Sequence, residues 1–321
     1  LGIMFRSDQR SHDRGCCQHP AIERTMSGSS SICGERQGIV SIDACNATDA
    51  LRVLERGFPN LDTAFWQKGL VRWNSLVDAR KNDLYLDGHI FQIFGKDVGV
   101  LLTFKSDRIR SDGTRYQMIN LSSWYIDVAY RWRAPMMLRS VVRDERSVFT
   151  DLTPSPEVDR INVAVGFRDW SDGMLIAAAV PWAAKRSPNE VRLVELDDPR
   201  ARDLGAQERE MLARHRAVGC LAAILCQPHG VAALLFRLIR RRGIVFAQLL
   251  YAESRRMVIE HLPAVMRFLL ARGVLLLSID ATRAQCPSGT FFRPGRRRFC
   301  KGPIDPDRLD YACSELVAFG I

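Results

Sequence analysis

Apolar positions recur along this chain with two different periods, and the changes of period mark its elements. Residues 1–34 show neither period: they are polar, carry the run Ser27–Ser31, and read as a disordered tail that reaches residue 37. Met26, ahead of the serine-rich stretch, leaves an alternative start open. Order is expected from Gly38. Ile39–Ile42 predicts a short strand. A helix follows, capped by Asn46 or Thr48, with Leu51, Val53 and Leu54 on one face and Gly57 and Pro59 as stops. Phe65, Trp66, Leu70, Trp73, Leu76 and Val77, spaced by three and four, predict a second helix capped by Asp62 or Thr63. Ile90–Phe94 and Val98–Phe104 flank Gly95-Lys-Asp97 and predict a hairpin. Met118–Ile126 reads as a strand, Pro135 opens a helix to about Arg143, Val148–Leu152 reads as a strand, and Val158–Val165 as a short helix closed by Gly166. Trp170–Gly173 reads as a turn and Leu175–Trp182 as an apolar strand.

The pattern fades over 185–213, which is rich in Pro, Asp, Glu and Arg, has a weak helical pattern near Gln207–Arg214, and is the expected linker between two units. Beyond it the sequence predicts an apolar segment Ala217–Leu225, a helix Val231–Arg242 and a strand Val245–Tyr251. A helix then ends at Gly273, with a strand Val274–Asp280 after it. Pro287–Pro306 reads as a Gly/Pro/Arg-rich loop, and Leu316–Phe319 as a closing strand. The units resemble each other. Pro135, Arg139 and the Asp-x-Thr of Asp151–Thr153 recur as Pro263, Arg267 and Asp280–Thr282, at an offset of 128 or 129, and Tyr125 and Tyr251 end the preceding strands. This predicts a duplicated strand–helix–strand.

Charge is distributed unevenly. The 321 residues carry a net charge of +10, yet residues 1–213 hold 29 basic and 29 acidic side chains, and residues 214–321 hold 17 and 7. The excess gathers at Arg237, Arg240–Arg242, Arg293 and Arg296–Arg298, a solvated face or a surface for an anionic ligand. With 47% hydrophobic and 26% charged residues the composition is globular. The absence of 18 consecutive uncharged apolar residues argues against a membrane span, and residues 1–15 lack the apolar core of a secretory signal. Nine cysteines without a Cys-x-x-Cys or a histidine at ligand spacing give neither a disulfide framework nor a metal site, so a reducing, cytoplasmic compartment is expected.

Over about residues 38–182 the order strand, two helices, hairpin, strand, helix, strand, helix, strand resembles that of the GNAT-type acyl-CoA N-acyltransferases. Asn120-Leu-Ser-Ser-Trp-Tyr-Ile126 followed by Tyr130-Arg131-Trp132-Arg133-Ala134-Pro135 is similar to that family's central strand and pyrophosphate loop, Phe149–Ser155 to its next strand, and Gly166-Phe167 to its Gly-Phe. The resemblance implies a mixed α/β sheet in tandem: a GNAT-like domain at 38–184 and a degenerate copy at 214–321. It implies acetyl-CoA or another acyl-CoA as cosubstrate, bound at Ile126, Val128, Arg131, Arg133, Ala134 and Met136, with no metal. A helix start offers amide donors and a positive dipole end to phosphate. Here Ala134 and Met136 stand at the family's glycine positions, Pro135 removes one donor, and Asn162 stands where many members place a tyrosine acid.

Acyl transfer needs a base for the attacking group and an amide for the developing oxyanion. If the strands ending at Ile126 and Leu152 are parallel neighbours, Asp127 and Asp151 share one sheet edge and either is the candidate base, with Tyr125 close by. The acceptor is expected to be a small molecule or a peptide, and the basic second half favours an anionic one. Two other readings remain open at this level: a non-catalytic acyl-CoA-binding or regulatory module, and a basic nucleic-acid binder, the latter without a recognition motif. The sequence also leaves a homo-oligomer open.

Overall fold

The computed structural model describes residues 38–77, 86–110, 113–186 and 191–320; the tail expected over 1–37 lies outside them. The first half runs β1 (Gly38–Ser41), α1 (Ala47–Gly57), α2 (Thr63–Val77), β2 (Gly88–Ile93), β3 (Lys96–Ile109) and β4 (Arg115–Ile126). A 3-10 turn, Val128–Arg133, leads into α3 (Ala134–Val141), followed by β5 (Val148–Asp151), α4 (Pro156–Ala164), β6 (Arg168–Ala178) and α5 (Ala179–Ala183). The second half runs β7 (Arg192–Val194), a 3-10 turn Pro199–Asp203, α6 (Ala206–Ala217), β8 (Leu221–Gln227), β9 (Gly230–Arg241) and β10 (Ile244–Ala252). It continues with α7 (Arg255–Glu260), α8 (Leu262–Leu270), β11 (Leu276–Ala281), β12 (Phe291–Lys301), β13 (Leu309–Asp310) and α9 (Glu315–Ala318).

The local chemistry accounts for the elements that sequence predicted. Asp62 caps α2 by accepting the Phe65 amide at 2.8 Å. The β2–β3 hairpin closes through Phe94 and Gly95, both at positive φ (49° and 71°), the twist that a two-residue hairpin loop requires.

Several expectations are corrected. The segment 185–213 is no bare linker: besides α6, which begins where the helical pattern was expected, it contains β7, and Val191, Ala201, Leu204 and Leu212 are buried in the main core. Val231–Arg242 is not a helix but β9, paired on both sides. Trp170–Gly173 lies inside β6, which ends at Ala178 and gives way to α5 rather than running to Trp182. Leu316–Phe319 belongs to a helical turn, α9, and the Arg-rich stretch after Pro287 contains β12.

The described strands form one sheet in the order β1-β2-β3-β4-β5-β12-β6-β11-β10-β9-β8-β7, with β13 on β10. Read from either end, the strands pair off as β1 with β7, β2 with β8, and so on to β5 with β11. The two central strands are exchanged. β6, which follows β5 in the chain, pairs with β11, whereas β12 crosses back to pair with β5, and the two lie antiparallel in the middle. The repeat found in the sequence occupies matching places. β4 and β5 are parallel with Met118 opposite Val148, and β10 and β11 are parallel with Phe246 opposite Leu276, the same register displaced by 128. Residues 118–153 and 245–282 are thus both strand–helix–strand units.

Helices cover the two faces of the first half. α3 and α4 bury Met137, Leu138 and Val158 against Phe91, Leu121 and Phe149. α1 and α2 bury Val53, Leu54, Trp66 and Leu70 against Ile90, Val100 and Leu102. Among the described residues no helix is long and apolar enough to cross a membrane.

Candidate active site

β4 and β5 are bonded only from Met118↔Val148 to Leu121↔Asp151. β4 then continues to Ile126, held on its other side by β3. Val100 pairs with Tyr125 and Leu102 with Ser122, so two residues, Ser123 and Trp124, oppose Leu101 alone, and Ser123 takes φ 45°. This bulge bends β4 and opens a wedge between Ser122–Ile126 and the chain leaving β5.

The expected pyrophosphate loop lies at the wide end of that wedge. It is wound as a 3-10 turn continuous with α3, in which the amides of Tyr130 and Ala134 are taken by the carbonyls of Asp127 and Arg131. Pro135 sits in the first turn of α3. Arg131 donates from Nε to the Ile126 carbonyl at 3.4 Å, and the Arg133 guanidinium lies 4.6 Å from the centre of the Trp132 ring. Ala134 and the side chain of Ile126 are buried, while Val128, Trp132 and Met136 are exposed. The loop therefore presents two cations and an apolar face, with fewer open amides than a glycine cradle would give.

Of the three expected catalytic residues, two sit together and one stands apart. Asp127 accepts both arms of Arg56, at 3.0 and 3.2 Å, and Arg56 also bonds the Asp97 carbonyl. This ties the end of β4 to α1 and the hairpin. Tyr125 packs on Gly57 of α1 so closely that a Cβ there would lie 2.3 Å from its ring; burial and the neighbouring Asp127 push its hydroxyl up from the ordinary tyrosine value. Asp151 is opposite Leu121, about 15–20 Å back along the strand from Asp127 at 3.3 Å per residue. The two aspartates do not share an edge as expected, because β5 stops where β4 goes on.

Asp151 closes the narrow end. It is buried, and burial pushes its carboxyl up to about 7, although Asn162 donates to it at 2.8 Å. Asn162, read from sequence as a lost acid, thus orients a carboxyl instead. Sequence reasoning missed a second acid, Glu315. Its amide donates to Asn120 Oδ1 at 3.1 Å, Thr153 donates its hydroxyl to the carboxylate, and Asn120 in turn donates to Thr150 Oγ1 at 3.2 Å. Burial raises the Glu315 carboxyl as well, against the pull of Ser122, Thr153 and Arg298. The serine-capped turn at Ser314 was its only signal.

The matching place in the second half is filled from within. Arg255, buried after β10, donates to the carbonyls of Trp170 and Asp280 at 3.1 and 2.9 Å. Ser254 caps α7 and bonds Asp307. Asp280, which repeats Asp151 in sequence, stands one place further along its strand, where Ile279 takes the matching position, and is ion-paired with Arg298 at 3.1 Å.

No family model and no curated protein matches the sequence. Among solved structures, a GCN5-related N-acetyltransferase from Anabaena variabilis aligns with a TM-score of 0.51 at 12% identity, over 83% of this chain and 72% of that one. Eis1 from Mycobacterium abscessus gives 0.48 at 12% identity, over 83% and 73%, and N-myristoyltransferase from Saccharomyces cerevisiae, with bound myristoyl-CoA, gives 0.38 at 9%, over 86% and 83%. The mixed sheet, its parallel β4–β5 pair and the first of these alignments together establish that this chain has the GCN5-related N-acetyltransferase fold.

Proposed function

We propose that the protein transfers an acyl group from acyl-CoA to an amine or hydroxyl of a small-molecule or peptide acceptor. The observation that carries this reading is the parting of β4 from β5 beyond Leu121, next to a helix start flanked by two arginines. The thioester would enter the wedge with its diphosphate toward Arg131 and Arg133. Asp151, protonatable near neutral pH, would take the proton of the attacking group, with Asn162 holding the carboxyl in place. The first half would carry the chemistry, because Arg255 and β13 fill the corresponding place beside the end of β10 in the second.

One observation favours a second reading, acyl-CoA binding without turnover: the engaged amides of Tyr130 and Ala134 leave a poorer phosphate cradle. Calorimetric titration with acetyl-CoA and longer acyl-CoA species tests binding. Thiol release with a panel of amines tests turnover. Each charge-assisted contact is worth about 1.5–3 kcal/mol, so Arg131→Ala with Arg133→Ala should weaken acyl-CoA at least tenfold. Unchanged affinity in that double variant would place the donor elsewhere.

A further inference from the structure

Chemistry that acyl transfer does not use lies in a cleft of about 380 Å³ between α2, β3 and α6, lined by Trp73, Lys105, Arg108, Met211, Arg214 and Cys313. That volume suits a small molecule. Cys313 sits between β13 and α9 on a segment held from both sides. The Asp310 carboxylate accepts Arg108 through two bonds of 2.7 and 3.0 Å, and the Ala312 carbonyl lies 2.8 Å from His215 Nε2. The other ring nitrogen of His215, Nδ1, lies 2.7 Å from the Met211 carbonyl. A neutral imidazole has one N–H, whereas two carbonyl acceptors at these distances call for two. His215 is therefore best satisfied as imidazolium.

A buried imidazolium needs an anion. Asp310 is already shared by Arg108 and Arg308. Glu208 accepts the Tyr251 hydroxyl and faces Arg308, and Tyr116 faces the same arginines. At the cleft wall Asp87 is paired with Lys105 and Glu210 with Arg214. Among the described residues, the acidic group that faces His215 is the Cys313 thiol, which also faces Arg108.

We infer that Cys313 is a thiolate nucleophile opening on this cleft, and a covalent modification site for low-molecular-weight disulfides. The Cys313 sulfur attacks one sulfur of the incoming disulfide and the S–S bond breaks. A mixed disulfide forms on Cys313, and the departing thiolate takes a proton from water. Cys313 is oxidised and the incoming disulfide is reduced to one thiol. Burial pushes the Cys313 thiol up, but Arg108 and His215 together bring it below its ordinary value, to about 7. Burial moves the thiols of Cys220, Cys226, Cys286 and Cys300 the other way, so the chemistry is selective among them.

The test is the pH dependence of iodoacetamide labelling of the full chain, resolved by peptide mapping. Cys313 should label with an inflection near pH 7 when folded and near the free-thiol value of about 8.5 in urea. At pH 6 those values give roughly 30-fold more thiolate in the folded protein. The lower nucleophilicity of a more acidic thiol takes back about fivefold, which leaves labelling about fivefold faster than in urea. Oxidised glutathione should add an adduct that maps to Cys313 ahead of the exposed Cys45. His215→Gln should raise the inflection; if that variant does not fold, the profile of the unaltered protein decides alone. Cys313 unlabelled in the folded chain, or labelled with the same inflection as in urea, overturns the inference.

Discussion

Asn162 donates to Asp151 at 2.8 Å, and both side chains are buried within the first half. The hydrogen bond favours the charged carboxylate, yet burial wins and the carboxyl is held up to about 7. Below about pH 4 both folded and unfolded chains protonate this group. As pH rises toward 7 the unfolded chain loses the proton first, so the group removes stability over that window, by an amount on the order of a few kcal/mol. Asp151→Asn should therefore raise the melting temperature at pH 8 and flatten its dependence between pH 4 and 7. If Asp151 is the base, the same variant should lower kcat by about 10²–10⁴. Asn162→Leu should move the acid limb of the rate profile upward. A melting curve of Asp151→Asn that runs parallel to that of the unaltered protein would show that Asp151 is ionised throughout.

Gly69 faces the Phe319 ring, and a Cβ at this position would lie 2.1 Å from it. In an exposed helix, Gly→Ala gains up to about 1 kcal/mol. Here the overlap should outweigh that gain, and Gly69→Ala should cost about 1–3 kcal/mol in urea denaturation. Combined with Phe319→Ala, the two changes should be less costly than the sum of the single ones, because the second removes the ring that the first collides with.

The Arg108–Asp310 pair joins β3 of the first half to β13 of the second, with both side chains buried. Asp310→Asn leaves two arginines against one missing charge and should cost about 3–5 kcal/mol, whereas Arg108→Met with Asp310→Leu, which leaves only Arg308 without that carboxylate, should cost less. Despite its burial, Asp310 is held below the ordinary aspartate value by Arg108. Its contribution is present above that ordinary value and lost as pH falls below it, opposite in sign to that of Asp151. Acid titration of the variant should accordingly lack part of the acid-induced loss.

Duplex DNA should bind no more tightly than about 1 μM at physiological salt, the non-specific range. Arg297 and Arg298 are engaged by Asp169 and Asp280, and Arg237 donates to the Leu316 carbonyl. Arg240 and Arg241 lie in a strand that pairs with β10, not on a helix free to enter a groove. Nanomolar, sequence-dependent retardation in a gel would sink this expectation.

The first half was legible because its periods are clean and its caps local. Gly95 announced the hairpin, and Asp62 and Pro135 announced helix starts. β9 was misread because Val231–Phe236 is a continuous apolar run rich in Ala and Leu, which periodicity cannot assign; Gly230 and the Arg242–Gly243 turn, both ends of a hairpin strand, were the usable signal. β12 was missed because Pro294 and Gly295 look like loop. They sit where its register against β6 breaks, and a strand tolerates proline there. Asp151 was found as a candidate, but Glu315 was not, since its place beside Thr153 is made by contacts 162 residues apart. The pairing of Asp127 with Arg56 is similarly invisible without the fold.

The exchange of β6 and β12 bears on how the protein can be taken apart. Cut between β6 and β7, neither piece would keep its own sheet closed: residues 38–184 would leave β5 without β12 and β6 without β11. Such raw edges seek partners, and the best fit to each is the other's equivalent. A second copy of the same piece could lend its β6 to the first copy's β5 and receive one in return, with the two β6 strands antiparallel on the dyad. The fragment made alone should therefore assemble as a symmetric pair, and the single chain can be viewed as such a pair with its two subunits joined end to end.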